Sequence, residues 1–440
     1  MRHFARKALL PSIALAAVTL SACGSSHTAS TSSHTVPASS GGGISFRNGL
    51  VRGHGCPPLI ASALGTVAAR IYDAASHGNV VGQAVHRVES SATLARAVAA
   101  NDAPAASATL RSLLAGQIVR VQVIKAGKVF AAAGAGTAIA PVAGPIARTD
   151  ARFVLSTQAA PAYLKVAQQI TGANVVLLGG ATGTNSPRPI ASTLALGKLP
   201  DHLPANGSVK IAGRAYEAYS LPGSLFPAGD LRIVLLVAPA SGASCLGSWE
   251  RSVGETIGHV GERIYHEEAD SPYVRATLRH IEGDAGFQRA VATRDTAAIR
   301  AAIVRFFAAH IHVVRVRAYA VEPSGAQRFL YDLGGPYVLA PVHGAVRSGG
   351  RVVGRFSYAI QDDAGYLRLA HLFTGAEILM RVGSKQVMGT LDPGPVRVPD
   401  HGIVTYRGKR YAAYSFTGEA FPSGSLRISL LLPSRAPIGG

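Results

Sequence analysis

"GRAYEAYSLPGSLFPAGDLRIVLLV" occupies residues 213–237 and "GKRYAAYSFTGEAFPSGSLRISLLL" occupies 408–432; 14 of the 25 positions are identical. The repetition extends backward through the chain. "RFVLSTQAAPAYLKVA" (152–167) returns as "RFSYAIQDDAGYLRLA" (355–370), "APVAGPI" (140–146) as "APVHGAV" (340–346), and "ARAVAAND" (95–102) as "QRAVATRD" (288–295). The offset drifts only between 193 and 203. A period this long marks a duplicated domain and not a solenoid module. The 440 residues therefore divide into unit 1 (44–239), a linker (240–244), unit 2 (245–433) and a tail (434–440).

Each unit opens on helical spacing. Ile60, Leu64, Val67 and Ile71 fall at intervals of 4, 3 and 4, as do Val253, Ile257, Val260 and Ile264. That puts four apolar side chains on one stripe in each copy. Asp295 suits the cap of a later helix with Ile299, Ile303, Phe306 and Phe307 turned inward, and its counterpart carries Leu110, Leu113 and Leu114. The period then changes to two. "IVRVQVI" (118–124) and "VVRVRAY" (313–319) alternate as half-buried strands do. Gly-rich turns separate further strand candidates, among them "RVVGRFSYAIQ", "GAEILMRVG" and "LRISLLL", and one helix near 364–373 interrupts them. The expected fold class is α+β: two tandem repeats, each with N-terminal helices followed by a mostly antiparallel sheet.

The first residues read as an export signal: "MRHFARK" is basic, "ALLPSIALAAVTL" is apolar, and the apolar run is too short for a permanent span. Leu20-Ser21-Ala22-Cys23 resembles the lipobox of bacterial lipoproteins, in which small residues precede a Cys that is diacylated. The resemblance implies a signal peptide with lipobox over 1–23, lipidation at Cys23, and a chain held at the extracytoplasmic face of the cell membrane. Residues 24–43 are mostly Gly, Ser, Thr and Ala, with His27 and His34 and no acid, Lys or Arg, and read as a flexible tether. The net charge is +19, or +16 once Arg2, Arg6 and Lys7 leave with the signal. Such a surface suits anionic lipid heads or wall polymers, and no nucleic-acid motif accompanies it. Cys56 and Cys245 remain for one disulfide in an oxidising compartment: one precedes the first helix of unit 1, the other follows that unit's last strand. Two separate buried thiols are the alternative.

The order of elements resembles a Cache domain, the extracellular relative of PAS sensor domains. The resemblance rests on a long N-terminal helix, a "VRVRAYAVEPSGAQRFLYD" strand and turn, a "GGRVVGRFSYAIQ" strand, and a closing antiparallel pair ending "LRISLLLP". It covers most of each unit. It implies a PAS/Cache-like sheet with a pocket for a small molecule, an amino acid, amine or small carboxylate. Such domains usually feed a signalling module through a membrane helix. Neither is read in this sequence, so a membrane signalling or transport partner is the expected route. The Arg and Trp set among Tyr residues that marks amino-acid-binding members is missing, since the one Trp is Trp249.

The copies differ in charge. Unit 2 has Tyr331-Asp332 and Asp362-Asp363 where unit 1 has Ala131-Ala132 and Ala159-Ala160. Truncation to Ala removes donors, acceptors and charge, so unit 2 is the expected binding copy. Its candidate ligand-binding residues are Tyr331, Asp332, Tyr337, Arg355, Tyr358, Gln361, Asp362, Asp363, Tyr366 and Arg381. Carboxylates would hold an amine, an Arg would grip a carboxylate by two hydrogen bonds, and Tyr would wall the pocket. Structural roles compete at the same positions. Asp362 and Asp363 suit a helix start, Asp332 precedes the Gly334-Gly335-Pro336 turn, and Arg355, Gln361 and Tyr366 recur in unit 1 as Arg152, Gln158 and Tyr163. No HExxH, GxSxG, SxxK or P-loop occurs, and His310 and His312 share a strand face without a third ligand. No enzyme, metal or cofactor is expected. The expected function is a tethered extracytoplasmic sensing or solute-binding lipoprotein; the alternative is a scaffolding envelope lipoprotein without ligand.

Overall fold

The computed structural model describes residues 56–180, 187–239, 249–309, 313–335 and 339–434. Cys23 and its lipobox, the tether, the linker, Cys245, His310, His312 and Tyr337 lie outside the described residues.

Unit 1 opens on α1 (Cys56–His77), α2 (Asn79–Glu89), α3 (Ala92–Ala99) and α4 (Ala103–Leu113). Ser91 and Asp102 start α3 and α4 by accepting from Leu94 N and Ala105 N, which satisfies a first-turn donor in each. Strands β1 (Arg120–Lys125), β2 (Lys128–Gly134), β3 (Ala138–Ile139), β4 (Val142–Pro145), β5 (Arg152–Ser156) and β6 (Gln158–Ala159) follow. After α5 (Ala160–Thr171) come β7 (Asn174–Gly180), β8 (Arg188–Ser192), β9 (Asn206–Ile211), β10 (Arg214–Leu225) and β11 (Gly229–Val237). One sheet has the order β2-β1-β5-β4; the other runs β6-β3-β10-β11-β7-β8, with β9 also paired to β10.

Unit 2 repeats this plan. Its helices are α6 (Trp249–Asp270), α7 (Pro272–Gly283), α8 (Ala285–Thr293) and α9 (Thr296–Ala309). Its first sheet, β13-β12-β15-β14, is built from β12 (Arg315–Val321), β13 (Gln327–Gly334), β14 (Val342–Ser348) and β15 (Arg351–Ala359). Helix α10 (Asp363–Thr374) leads to β16 (Glu377–Val382), β17 (Lys385–Gly389), β18 (His401–Tyr406), β19 (Lys409–Glu419) and β20 (Ser425–Pro433), which form the sheet β17-β16-β20-β19-β18. Every described strand pair is antiparallel.

The α+β class is thus the one expected, with one difference: each unit holds two sheets where one was expected. The reason is cover. A sheet must bury a face, and each unit has two separate helical layers to supply it. The short helices cover the four-stranded sheet. In unit 2 Phe287, Ile299, Ile303 and Phe306 close on Val316, Phe356 and Tyr358; in unit 1 Leu94, Val98 and Leu110 close on Val121, Phe153 and Leu155. Asp295 caps α9 as expected, its Oδ1 accepting from Ala298 N at 3.0 Å.

The long helices serve the second sheets and each other. The stripes Leu64, Val67, Ile71 and Val253, Ile257, Val260, Ile264 lie in one buried cluster together with α5, α10 and both second sheets. The two units therefore share a core. Gly65 and Gly258 permit the close approach of helix to sheet, because a Cβ at either would collide with the ring of Tyr219 or Tyr414. The same tie recurs in both copies: Tyr163 donates to Ala68 O and Tyr366 to Gly261 O, each at 3.1 Å. Among the described residues no helix is long and apolar enough to cross a membrane.

Candidate functional site

The alternation in β12 sends Val316, Ala318 and Ala320 into the helix-covered core. Arg315, Arg317 and Tyr319 must then stand on the opposite, helix-free face. Cross-strand register builds that face into two rows. Arg317 pairs with Asp332 of β13 and Ser357 of β15, and Ser357 pairs with His343 of β14. The first row is Asp332–Arg317–Ser357–His343, one polar residue from each strand. Tyr319 pairs with Phe329 and Arg355, and Arg355 with Ala345. The second row is Phe329–Tyr319–Arg355–Ala345.

Unit 1 has the same register and different chemistry. Gln122 pairs with Ala132 and Val154, and Val154 with Ala143. Its first row is therefore Ala132–Gln122–Val154–Ala143. Val154 is buried there with Ala138 and Phe226 in a small apolar cluster. The backbone is duplicated while the polar row belongs to unit 2.

Asp332 is the electrostatic centre of that row. Arg317 donates to its Oδ2 from Nε at 2.9 Å and from Nη2 at 2.5 Å. Arg315 donates from Nε to Oδ1 at 3.1 Å and from Nη2 to Oδ2 at 2.7 Å. Burial pushes the Asp332 carboxyl up, but these hydrogen bonds and the two cations outweigh it and hold it below the usual aspartate range. Two guanidiniums against one carboxylate leave a net positive charge. Both also lie over Phe421, at 4.4 Å for Arg315 and 5.7 Å for Arg317.

At the other end of the row, His343 Nε2 donates to Glu419 Oε1 at 2.8 Å, and the Ser357 hydroxyl lies 2.9 Å from Nδ1. Ser, His and Glu in sequence are the parts of a hydrolytic triad. Here Ser357 is 4% exposed within a strand paired on both sides, and its Oγ also lies 3.4 Å from Pro422 O. The chain of bonds instead ties the four-stranded sheet to the β19–β20 hairpin, whose Glu419 N donates to Tyr265 OH of α6 at 2.7 Å.

The structure scatters the ten sequence candidates. Asp332 and Arg355 share the helix-free face. Arg355 is exposed and has no hydrogen-bond or ion-pair partner among the described residues. Tyr331 packs on the helix-covered core. Tyr358 is fully buried, donates to Val274 O at 2.6 Å, and has its pKa raised first by burial and then by Tyr273 and Glu282. Tyr366 is equally buried in the shared core. Asp362 caps α10 by accepting from Gly365 N, and Asp363, 4% exposed, accepts from Leu339 N at 3.0 Å. Gln361 is half-buried beside Gly365. Arg381 lies on the second sheet, under the segment 390–400, where its Nη2 donates to Pro395 O. Tyr337 is outside the described residues. Arg317, Tyr319, Phe329, His343 and Ser357 were not among the candidates. The signal for the first two was the polar phase of "VVRVRAY", and for His343 the Ala143 that stands at its place in unit 1.

No family model matches the chain, and no curated protein matches it. Among solved structures, the Vibrio cholerae LuxQ periplasmic domain aligns over 41% of this chain and 98% of its own, at 10% identity and a TM-score of 0.29. The ligand-binding domain of the Pseudomonas fluorescens chemoreceptor CtaA, solved with L-alanine, aligns over 42% of this chain and all of its own, at 11% identity and a TM-score of 0.26. Superpositions this loose carry no residue or ligand over to this chain.

Proposed function

We propose that the chain is an extracytoplasmic small-molecule sensing or solute-binding lipoprotein, anchored at Cys23, with no catalytic module and with its binding face on unit 2. The observation that carries this reading is the contrast of the two rows. One backbone register holds Asp332, Arg317, Ser357 and His343 in unit 2 and Ala132, Gln122, Val154 and Ala143 in unit 1. Arg355 offers an unengaged guanidinium between Tyr319 and Ala345, and Phe329, 56% exposed at the sheet edge, offers an apolar wall. That combination favours a small molecule bearing a carboxylate, gripped by Arg355 and flanked by the two aromatic rings. Any signal would then pass to a membrane partner. The Cys56–Cys245 disulfide belongs to the same proposal. Cys56 Sγ lies 3.9 Å from Ser252 Oγ, close after Cys245 in the chain.

A second reading has its own support: both oxygens of Asp332 are already taken by arginines, as a purely structural network would have them. A thermal-shift screen of amino acids, amines and small carboxylates separates the two. A ligand at about 100 times its Kd stabilises the folded chain by about 2.7 kcal/mol. The binding reading expects a carboxylate to raise Tm and Arg355→Ala to remove the rise. No shift with any of them, and no co-purified small molecule by native mass spectrometry, would leave the scaffold reading standing.

A further inference from the structure

A second, separate feature distinguishes unit 2. On its second sheet Ile378, Met380, Leu426, Ile428 and Leu430 face the long helix. The alternate residues Leu379, Arg381, Arg427, Ser429 and Leu431 face outward, beneath the segment 390–400. Arg381 and Arg427 are direct cross-strand partners. Like charges facing each other on adjacent strands repel; Arg381 is buried away from screening water, while the Arg427 side chain keeps 40% of its surface exposed.

The burial is real and the compensation is thin. Arg381 is 8% exposed, and its one hydrogen bond among the described residues runs from Nη2 to Pro395 O. Arg427 donates from Nη2 to Val398 O at 2.6 Å, while its Nε is buried without a partner. Among the described residues the one carboxylate in contact is Asp400, 2.7 Å from Arg427 and itself 73% exposed. Ser415 Oγ lies 3.5 Å from Arg427 Nη2 and 2.8 Å from Ser429 Oγ, so two hydroxyls complete a polar patch around the pair. Burial first, and the neighbouring Arg427 second, push the Arg381 guanidinium below its ordinary value.

Unit 1 shows which part is new. Its register pairs Leu178 with Arg232, and Arg232 reproduces the Arg427 arrangement: Nη2 donates to Leu203 O at 2.9 Å and Nε is again unpartnered. A single arginine fastening a loop carbonyl is thus common to both copies. The second guanidinium and the Ser429 hydroxyl, where unit 1 has Val234, are unit 2's own.

We propose that Arg381 and Arg427 form an oxyanion-binding site under the 390–400 segment, taking a small anion with at least two acceptor oxygens. As cross-strand partners the two guanidiniums stand on one face of the sheet, and an oxyanion can accept from N–H groups of both while its charge offsets theirs. This site is independent of the Arg317–Arg355 face, so either can fail without the other.

The test uses the purified chain and inorganic phosphate, with sulfate and acetate as parallel arms, each against chloride at matched ionic strength. The wild type should show a saturable rise in Tm with at least one oxyanion. Arg381→Leu, which installs the residue unit 1 packs at this register, should lose that increment whatever it does to Tm in chloride. Arg381→Lys keeps the charge without the fork and should weaken the apparent affinity several-fold. Arg300→Gln, at an exposed position of α9 outside both sites, should leave the phosphate response intact. No oxyanion-specific shift in the wild type, or an undiminished shift in Arg381→Leu, overturns the proposal; if that variant does not fold, an undiminished affinity in Arg381→Lys does so.

Discussion

Arg263 of α6 donates from Nη1 to the carbonyl oxygen of Thr171, 2.7 Å away at the C-terminal end of α5 in the other unit. The relation is reciprocal. Arg70 of α1 covers Gly375, which ends α10 of unit 2 as Gly172 ends α5 of unit 1. Each long helix thus sends a cation to the negative end of the other unit's helix, where the last carbonyls lack partners. With both apolar stripes in one core, the chain forms within itself the self-complementary contact that a two-fold dimer forms between two chains.

Arg263→Ala should lower global stability by about 1–2 kcal/mol, through one charge-assisted hydrogen bond and its favourable helix-end position. Chemical denaturation of the variant checks it. A single transition in wild type and variant is expected, since the units share a core. Two separated transitions in the wild type would mean that the units unfold independently.

Gly258→Val should destabilise by about 1–3 kcal/mol by overpacking against the Tyr414 ring. Gly82 of α2 has open space where its Cβ would be, so Gly82→Ala should gain up to about 1 kcal/mol from helix propensity alone. The opposite signs of the two urea midpoints test whether close approach, and not glycine content, matters at position 258.

Asp332 has a lowered pKa in the folded chain: burial raises it, but the bonds from Arg315 and Arg317 prevail. A carboxylate held below its unfolded value, about 3.9, contributes stability that is present above that value and lost as pH falls through the folded one. The wild type should therefore lose more Tm than Asp332→Asn between about pH 4 and pH 2.5. Parallel curves would show that the two arginines do not favour the ionised form.

Glu268 of α6 behaves oppositely, raised to about 7 by burial first and by adjacent Glu267 second. Folding then favours the protonated form. Its contribution is present below the ordinary Glu value near 4.3 and is lost as pH climbs through about 7. Glu268→Gln should flatten the fall in Tm between about pH 5 and pH 8.

Much of this architecture was legible in the residues. The duplication, the two apolar stripes, the Asp295 cap and the alternation in "VVRVRAY" are all local or periodic, and each is where the spacing places it. The division of each unit into two sheets was not legible, because one strand pattern serves either sheet and only the helical layers decide which face is covered. The acids at 362–363 stood out by contrast with alanines. Charge contrast along a chain does not say whether a carboxylate faces a ligand, a helix N-terminus or a neighbouring loop. Asp362 took the second role and Asp363 the third.

What the sequence by itself determined was the repeat and the period of each element, since these rest on spacings of a few residues. What only the tertiary structure decided was which side chains stand together. Asp332, Arg317, Ser357 and His343 come from four strands, and Arg381 meets Arg427 across a pair separated by three further strands in the chain. Such rows are set by cross-strand register, and shifting any strand by one residue would turn its side chain to the other face.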